Sequence, residues 1–198
     1  MTTAVYFDLD GTLLNYATTF PEMVAQTLPG TVTDAMIETY SERLLAALDD
    51  CADDPYVLAF EAVCEEFGLD ASAEGLAAEF IRTEVEATRV PDSVHRLVER
   101  VAARHRTGIL TNGDGSVQRR KLAAHGLDAV VDAVVVSNDL GVRKPDPGIF
   151  HEARDRLPAD THVYVGDSYA EDIVPAREEG FRTVYVGEEA RPDAPVAA

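Results

Sequence analysis

The segment AVYFDLDGTLLN, Ala4 to Asn15, opens with the small and apolar side chains of a buried strand, through Val5, Tyr6 and Phe7. It then runs directly into Asp8, Leu9 and Asp10. Side chains alternate with a period of two along a strand, so the two aspartates start out on the same side of the chain. At a separation of roughly 5 Å and an effective dielectric of about 20, their repulsion is about 3 kcal/mol. Positive charge is therefore expected between them, and the remainder of the chain can be read for its source.

After this strand comes a helical stretch, about residues 17 to 88, rich in Ala, Leu and Glu. It is broken by LPG at Leu28, DDP at Asp53 and FGLD at Phe67, which predicts four helices. From Pro91 the pattern changes. Val94, Leu97, Val98 and Val101 follow helical spacing, and TGILT reads as a buried strand ending at Thr111. The alternation continues with a helix near Ser116 to His125, strand AVVVS ending at Ser137 and a helix near Pro147 to Leu157. Strand THVYVG then ends at Gly166, a helix spans about Ala170 to Glu179, and strand RTVYVG ends at Gly187. Strands alternating with helices imply an α/β fold with a doubly wound parallel sheet, which binds ligands at the carboxyl ends of its strands. The expected organisation is a Rossmann-like core of residues 1–15 and 90–190, an inserted helical cap over 16–89, and a flexible tail at 191–198.

The 36 acidic and 17 basic residues give a formal net charge of -19, which argues against a nucleic-acid surface. There are two lysines, Lys121 and Lys144, against fifteen arginines. An acidic, lysine-poor surface resembles those of salt-adapted proteins, in which molar salt shortens the Debye length to about 3 Å and screens self-repulsion, so a salt-adapted protein is the expectation. No apolar run is long enough to span a bilayer, and MTTAVYF lacks the features of a secretory signal, so a cytoplasmic protein that does not enter membranes is expected. Cys51 and Cys64 suit neither a disulfide framework nor a zinc cluster and are expected to be free, mostly buried thiols.

Several polar residues lie just past the predicted strands: Asp8 and Asp10, Thr111 with Asn112, Lys144, then Asp167 and Asp172. Singly, each reads as a turn or cap residue. Together, at successive strand ends of one sheet, they should converge. Such carboxylates suit a hard dication with oxygen ligands, and Mg²⁺ prefers one or two carboxylates, waters and a phosphate oxygen. Lys144, in VRKPDPGIF, supplies a second positive charge. The five histidines, His95, His105, His125, His151 and His162, are scattered and read as surface or capping residues. GDGSVQ, from Gly113, lacks the dinucleotide glycine pattern and the P-loop lysine, and reads as the turn after Thr111.

DLDGTL (Asp8 to Leu13), Thr111 in LTNG, Lys144 in RKPDP and GDSYAED (Gly166 to Asp172) resemble the four ordered motifs of the haloacid dehalogenase-like hydrolases. The position of the helical block resembles the branch with a helical cap inserted after the first motif. The resemblance implies phosphoryl transfer through an aspartyl phosphate, with Asp8 as nucleophile and Asp10 as general acid and then general base. It implies that Thr111, Asn112 and Lys144 hold the phosphoryl oxygens. Mg²⁺ would sit on the carboxylates of Asp8 and Asp167 and the backbone carbonyl of Asp10, supported by Asp172 and Ser168. Gly11 would permit the tight turn after the two acids.

The family also contains dehalogenases, whose leaving halide needs no proton; Asp10 favours a phosphatase. A phosphomutase shares the first steps and differs in whether the closed cap excludes water. Receiver domains, the non-enzyme reading, resemble compact modules with adjacent acids and no helical insert, and a phosphate-binding protein without catalysis would not need every catalytic position filled. Glu171 stands where relatives often carry Asn, and is expected to face solvent. The cap residues Phe20, Arg43, Tyr56 and Arg82 carry no readable role. The expected partner is a small phosphorylated metabolite.

Overall fold

The computed structural model describes residues 1–187; the predicted tail, 191–198, and the last residues assigned to the core lie outside the described residues. Strand β1, Thr3–Phe7, forms where β-branched and aromatic side chains follow one another. Its pleat sends Ala4 and Tyr6 into one hydrophobic cluster and Val5 and Phe7 into another on the opposite face. In chain order there follow β2 (Asn15–Tyr16), α1 (Phe20–Thr27), α2 (Asp34–Asp49), α3 (Pro55–Phe67), α4 (Ala73–Ala87) and β3 (Thr88–Arg89). Next come α5 (Asp92–Ala102), β4 (Arg106–Thr111), α6 (Gly115–Ala124), β5 (Ala133–Val136), α7 (Ser137–Leu140) and α8 (Pro147–Arg156). The chain continues with β6 (Thr161–Gly166), a π-helical turn at Tyr169–Ile173, α9 (Val174–Glu178) and β7 (Arg182–Tyr185).

The five long strands pair in parallel in the order β5-β4-β1-β6-β7, so β1 is central and its end lies among the other strand ends. The central strands β1 and β4 are covered on both faces, which is why they read as apolar runs without alternation. Gly108 in β4 is required by close approach: a Cβ there would stand 2.3 Å from the Tyr6 ring.

The four predicted helices are present, and the predicted breaks fall between them. Thr19 forms a capping box with Glu22 ahead of α1, Thr33 and Ser72 cap α2 and α4, and Gly68 ends α3 in the left-handed region. These helices have their own core, in which Tyr40, Phe60 and Phe80 are fully buried. Their ring centroids lie 4.3 to 6.0 Å apart.

Three local features depart from the sequence reading. Ser137 starts the short helix α7 and does not end a strand, so Lys144 is reached through that helix and a loop. Residues 169–173 wind as a π turn ahead of a short α9. The antiparallel ribbon of β2 and β3, pairing Asn15 with Arg89 and Tyr16 with Thr88, joins the helical unit to the sheet and was not foreseen. The thiols of Cys51 and Cys64 are free, as expected, but half-buried.

Candidate active site

Asp8 leaves β1 with its N–H donating to Val165 at 2.8 Å, which holds the carboxylate at the sheet's carboxyl edge. The chain then turns sharply through Gly11, at φ +83°, where a Cβ would stand 2.3 Å from Asp167 Oδ2. Only glycine fits that combination. The turn brings Asp167 up to Asp8, and Thr12 donates to Asp167 Oδ1 at 2.8 Å.

Lys144, 3% exposed, donates to Asp8 Oδ1 at 2.8 Å, Asp172 Oδ1 at 2.6 Å and the Tyr164 hydroxyl at 2.9 Å. Its backbone is held by Asn112: Lys144 N–H donates to Asn112 Oδ1 at 2.9 Å and Asn112 Nδ2 donates to the Lys144 carbonyl at 3.1 Å. Asn112, expected to hold phosphate, thus has its side-chain amide committed to positioning Lys144. Ser168 lies behind the acids, its N–H donating to Asp172 Oδ2 at 2.9 Å while its hydroxyl caps the π turn.

Asp10 belongs to a separate network. Its Oδ1 accepts from the Tyr16 hydroxyl at 2.5 Å and from Lys121 Nζ at 3.0 Å, and its Oδ2 accepts from Gln118 Nε2 at 2.7 Å. Lys121 also pairs with Glu84 of α4 at 2.8 Å, and Gln118 Nε2 reaches the Thr111 hydroxyl at 3.0 Å. The crowding of the two aspartates is thus relieved by two lysines, one to each acid.

The two carboxyls are tuned in opposite directions. Burial, with help from Asp172 and Asp10, pushes Asp8 up to about 7 against the pull of Lys144. Burial would also raise Asp10, but Lys121 and the hydrogen bonds from Tyr16 and Gln118 outweigh it and hold its carboxyl below the ordinary value.

Asp8, Asp167 and Asp172 each offer an oxygen, all within 4.8 Å of one another. One ammonium among three carboxylates leaves excess negative charge, and an all-oxygen donor set of this kind fits a hard dication. Asp172 is bonded to Lys144 and to the Ser168 N–H, so Asp8 and Asp167 are the two better placed to ligate.

The structure brings Asp8, Asp10, Thr111, Lys144, Asp167 and Asp172 together at one edge of the sheet, as the strand-end reading expected. Four residues of the same cluster escaped that reading: Tyr16, Glu84, Gln118 and Lys121. Lys121 carried a signal, since it is one of only two lysines in the chain. Glu171 does not simply face solvent; it accepts from Asn112 Nδ2 at 3.3 Å and lies 3.6 Å from Arg143, which also pairs with Asp49 of α2. Of the four residues of the helical unit without a readable role, Phe20 and Tyr56 line a cavity beside Asp10. Arg82 pairs with Glu79 and Glu86 on the surface, and Arg43 lies in an outer groove of the helical unit. The histidines make separate contacts, such as His151 with Glu179 and His162 with the Leu157 carbonyl, in keeping with their scattered spacing.

A family profile described as haloacid dehalogenase-like hydrolase matches residues 2–180. Phosphoserine phosphatase of Thermus thermophilus is 32% identical over 140 residues, covering 70% of this chain and 56% of that protein. (S)-2-haloacid dehalogenase 4A of Burkholderia cepacia is 32% identical over 120 residues, covering 60% of this chain and 52% of that protein. The chain thus spans a little over half the length of these two relatives. Among solved structures, the HAD-hydrolase YfnB of Bacillus subtilis bound to magnesium superposes with a TM-score of 0.70 at 24% identity, covering 93% of this chain and 88% of that one, a likeness of fold alone.

Proposed function

Because the chain belongs to the haloacid dehalogenase-like hydrolases, we propose that it is a Mg²⁺-dependent phosphatase of small phosphomonoesters that works through an aspartyl phosphate on Asp8. Phosphatase-named relatives support the reaction class. The observation that carries the reading is Asp10: a second carboxylate two residues from the nucleophile, with a proton network of its own. A departing alkoxide needs a proton and a departing halide does not.

In the first step an oxygen of Asp8 attacks phosphorus, the bond to the ester oxygen breaks, and Asp10 delivers a proton to the departing alkoxide. Asp10 is ionised in the ligand-free protein. A phosphoryl anion bound beside it raises its proton affinity, so binding loads the acid. In the second step Asp10 takes a proton from water, water oxygen bonds to phosphorus, and Asp8 is released as carboxylate. Lys144 and the Thr111 hydroxyl hold charge on the phosphoryl oxygens, and the cradle of Asn112 keeps Lys144 in place. Asp8 and Asp167, with the carbonyl of Asp10, would hold Mg²⁺, which supplies Lewis-acid charge neutralisation when bound. The magnesium in the Bacillus relative supports this choice of ion.

The test is phosphate release from a panel of small phosphomonoesters with Mg²⁺ or EDTA, using the native protein and Asp8→Asn. Metal-dependent release that falls at least ~10³-fold in Asp8→Asn is expected, since the nucleophile is removed. Halide release from 2-haloacids, with no phosphate release, would overturn the reading.

A further inference from the structure

A cavity of about 330 Å³ opens beside Asp10, between the helical unit and the loop after β4. Its size suits the alcohol portion of a small ester. On the reading above, the chemistry of its wall defines which alcohol. Part of its lining is apolar, from Phe20, Leu44, Leu48 and Tyr56. Part is acidic, from Asp10, Glu84 and Asp114.

Lys121 is the one cation among the residues that line the cavity. An ammonium has three donors, and Lys121 directs them at Asp10, Glu84 and the Tyr16 hydroxyl, at 3.0, 2.8 and 2.7 Å. None is left for a substrate carboxylate.

Two residues that line the cavity each hold a buried acceptor without a donor, Glu84 Oε2 and Gln118 Oε1. The orientation of the Gln118 amide is fixed, because its Nε2 faces three acceptors, Asp10 Oδ2, Thr111 Oγ1 and the Asn112 carbonyl. Its oxygen therefore points away from them. Glu84 is 8% exposed and Gln118 is 2% exposed. Burial, and the Glu84 carboxylate nearby, push the Tyr56 hydroxyl well above its ordinary pKa, so Tyr56 stays a neutral phenol at the edge of this acidic lining. Buried acceptors of this kind ask for a ligand that brings hydrogens.

We propose that the cavity receives an uncharged or cationic alcohol, its hydroxyl or ammonium group donating to Glu84 Oε2 and Gln118 Oε1 and its carbon skeleton lying against Phe20, Leu44 and Tyr56. Esters with a carboxylate close to the phosphate are rejected, because their second anion meets Glu84 and Asp114 with no cation to receive it. Selectivity thus comes from repulsion on one side and from unmet acceptors on the other.

The experiment compares kcat/KM, with Mg²⁺, for glycerol 1-phosphate and 2-aminoethyl phosphate against phosphoglycolate and 3-phosphoglycerate. The first pair is expected to be at least tenfold better, and Glu84→Gln is expected to shrink that ratio at least threefold. Equal or reversed preference in the native protein overturns the inference, and an unchanged ratio in Glu84→Gln overturns the role of Glu84. Binding is read separately as the shift in Tm of Asp8→Asn on adding each ester. A rise with the first pair alone supports the inference even where no ester releases phosphate, in which case the phosphatase reading alone fails. Equal shifts from both pairs, or none from any ester, overturn the inference.

Discussion

Removing Lys121 leaves the buried Glu84, which it pairs with at 2.8 Å, without its cation, and takes one of three donors from the half-buried Asp10 at 3.0 Å. Breaking a buried pair by deleting one partner costs about 3–5 kcal/mol. Lys121→Met is therefore expected to lower the urea midpoint by a corresponding amount, and adding Glu84→Leu to it should restore part of the loss. A midpoint unchanged in Lys121→Met would mean that water already solvates these acids. Sequence singled out Lys144 because it is rare and sits in a recognisable motif. Lys121 is equally rare, but nothing local marks it: its partners come from residues 10, 16 and 84, brought together only when α4 lies against α6. Asn112 is the converse case. Its position was readable, and the orientation of its amide, turned onto the Lys144 backbone, was not.

The ribbon of β2 and β3 is the narrow join between sheet and helical unit, extended by Ala17 N–H donating to the Ala87 carbonyl at 2.8 Å. Thr88 ties this join to α6: His125 Nε2 lies 2.7 Å from Thr88 Oγ1, whose own proton goes to the Val85 carbonyl at 2.6 Å. Burial lowers the His125 pKa, and Arg89 and His95 lower it further. The unfolded chain therefore takes up this proton more readily than the folded one. The stability that neutral His125 contributes is full above its ordinary value of 6.5 and declines as pH falls below it. The Tm advantage of the native protein over His125→Gln should accordingly be larger at about pH 7.5 than at about pH 5.5; an equal advantage at both would refute this. The long elements were readable because each repeats its period several times, as in α2, with Met36, Tyr40, Leu44 and Ala47 buried. Two-residue strands have no period to read, which is why this ribbon was invisible in sequence.

Across the molecule the two kinds of cation are segregated. Among the described residues no arginine is buried, whereas both lysines are. Among the described residues the buried acids Asp8, Glu84 and Asp172 are nearly balanced by the two lysines, so burial hides little of the chain's net charge of -19, and salt adaptation is a proposal with a direct test. Tm is expected to climb between about 0.1 M and about 2 M KCl as surface repulsion is screened, while KM for a phosphomonoester changes less than about threefold, because the charges that draw it in are local and enclosed. A flat Tm would remove the salt-adapted reading, and a steep rise in KM would show that long-range attraction matters after all. No helix among the described residues is long and apolar enough to cross a membrane. The segregation of cations also gives the folded chain an unusual reactivity. Both of its lysine amines are shielded, each 3% exposed, so acylating reagents that modify ordinary proteins within minutes should find little on its side chains to attack. Lys121 lies at the seam with the helical unit and Lys144 lies beneath the strand ends. The order in which the two gain mass would time the parting of that seam separately from the loss of the sheet.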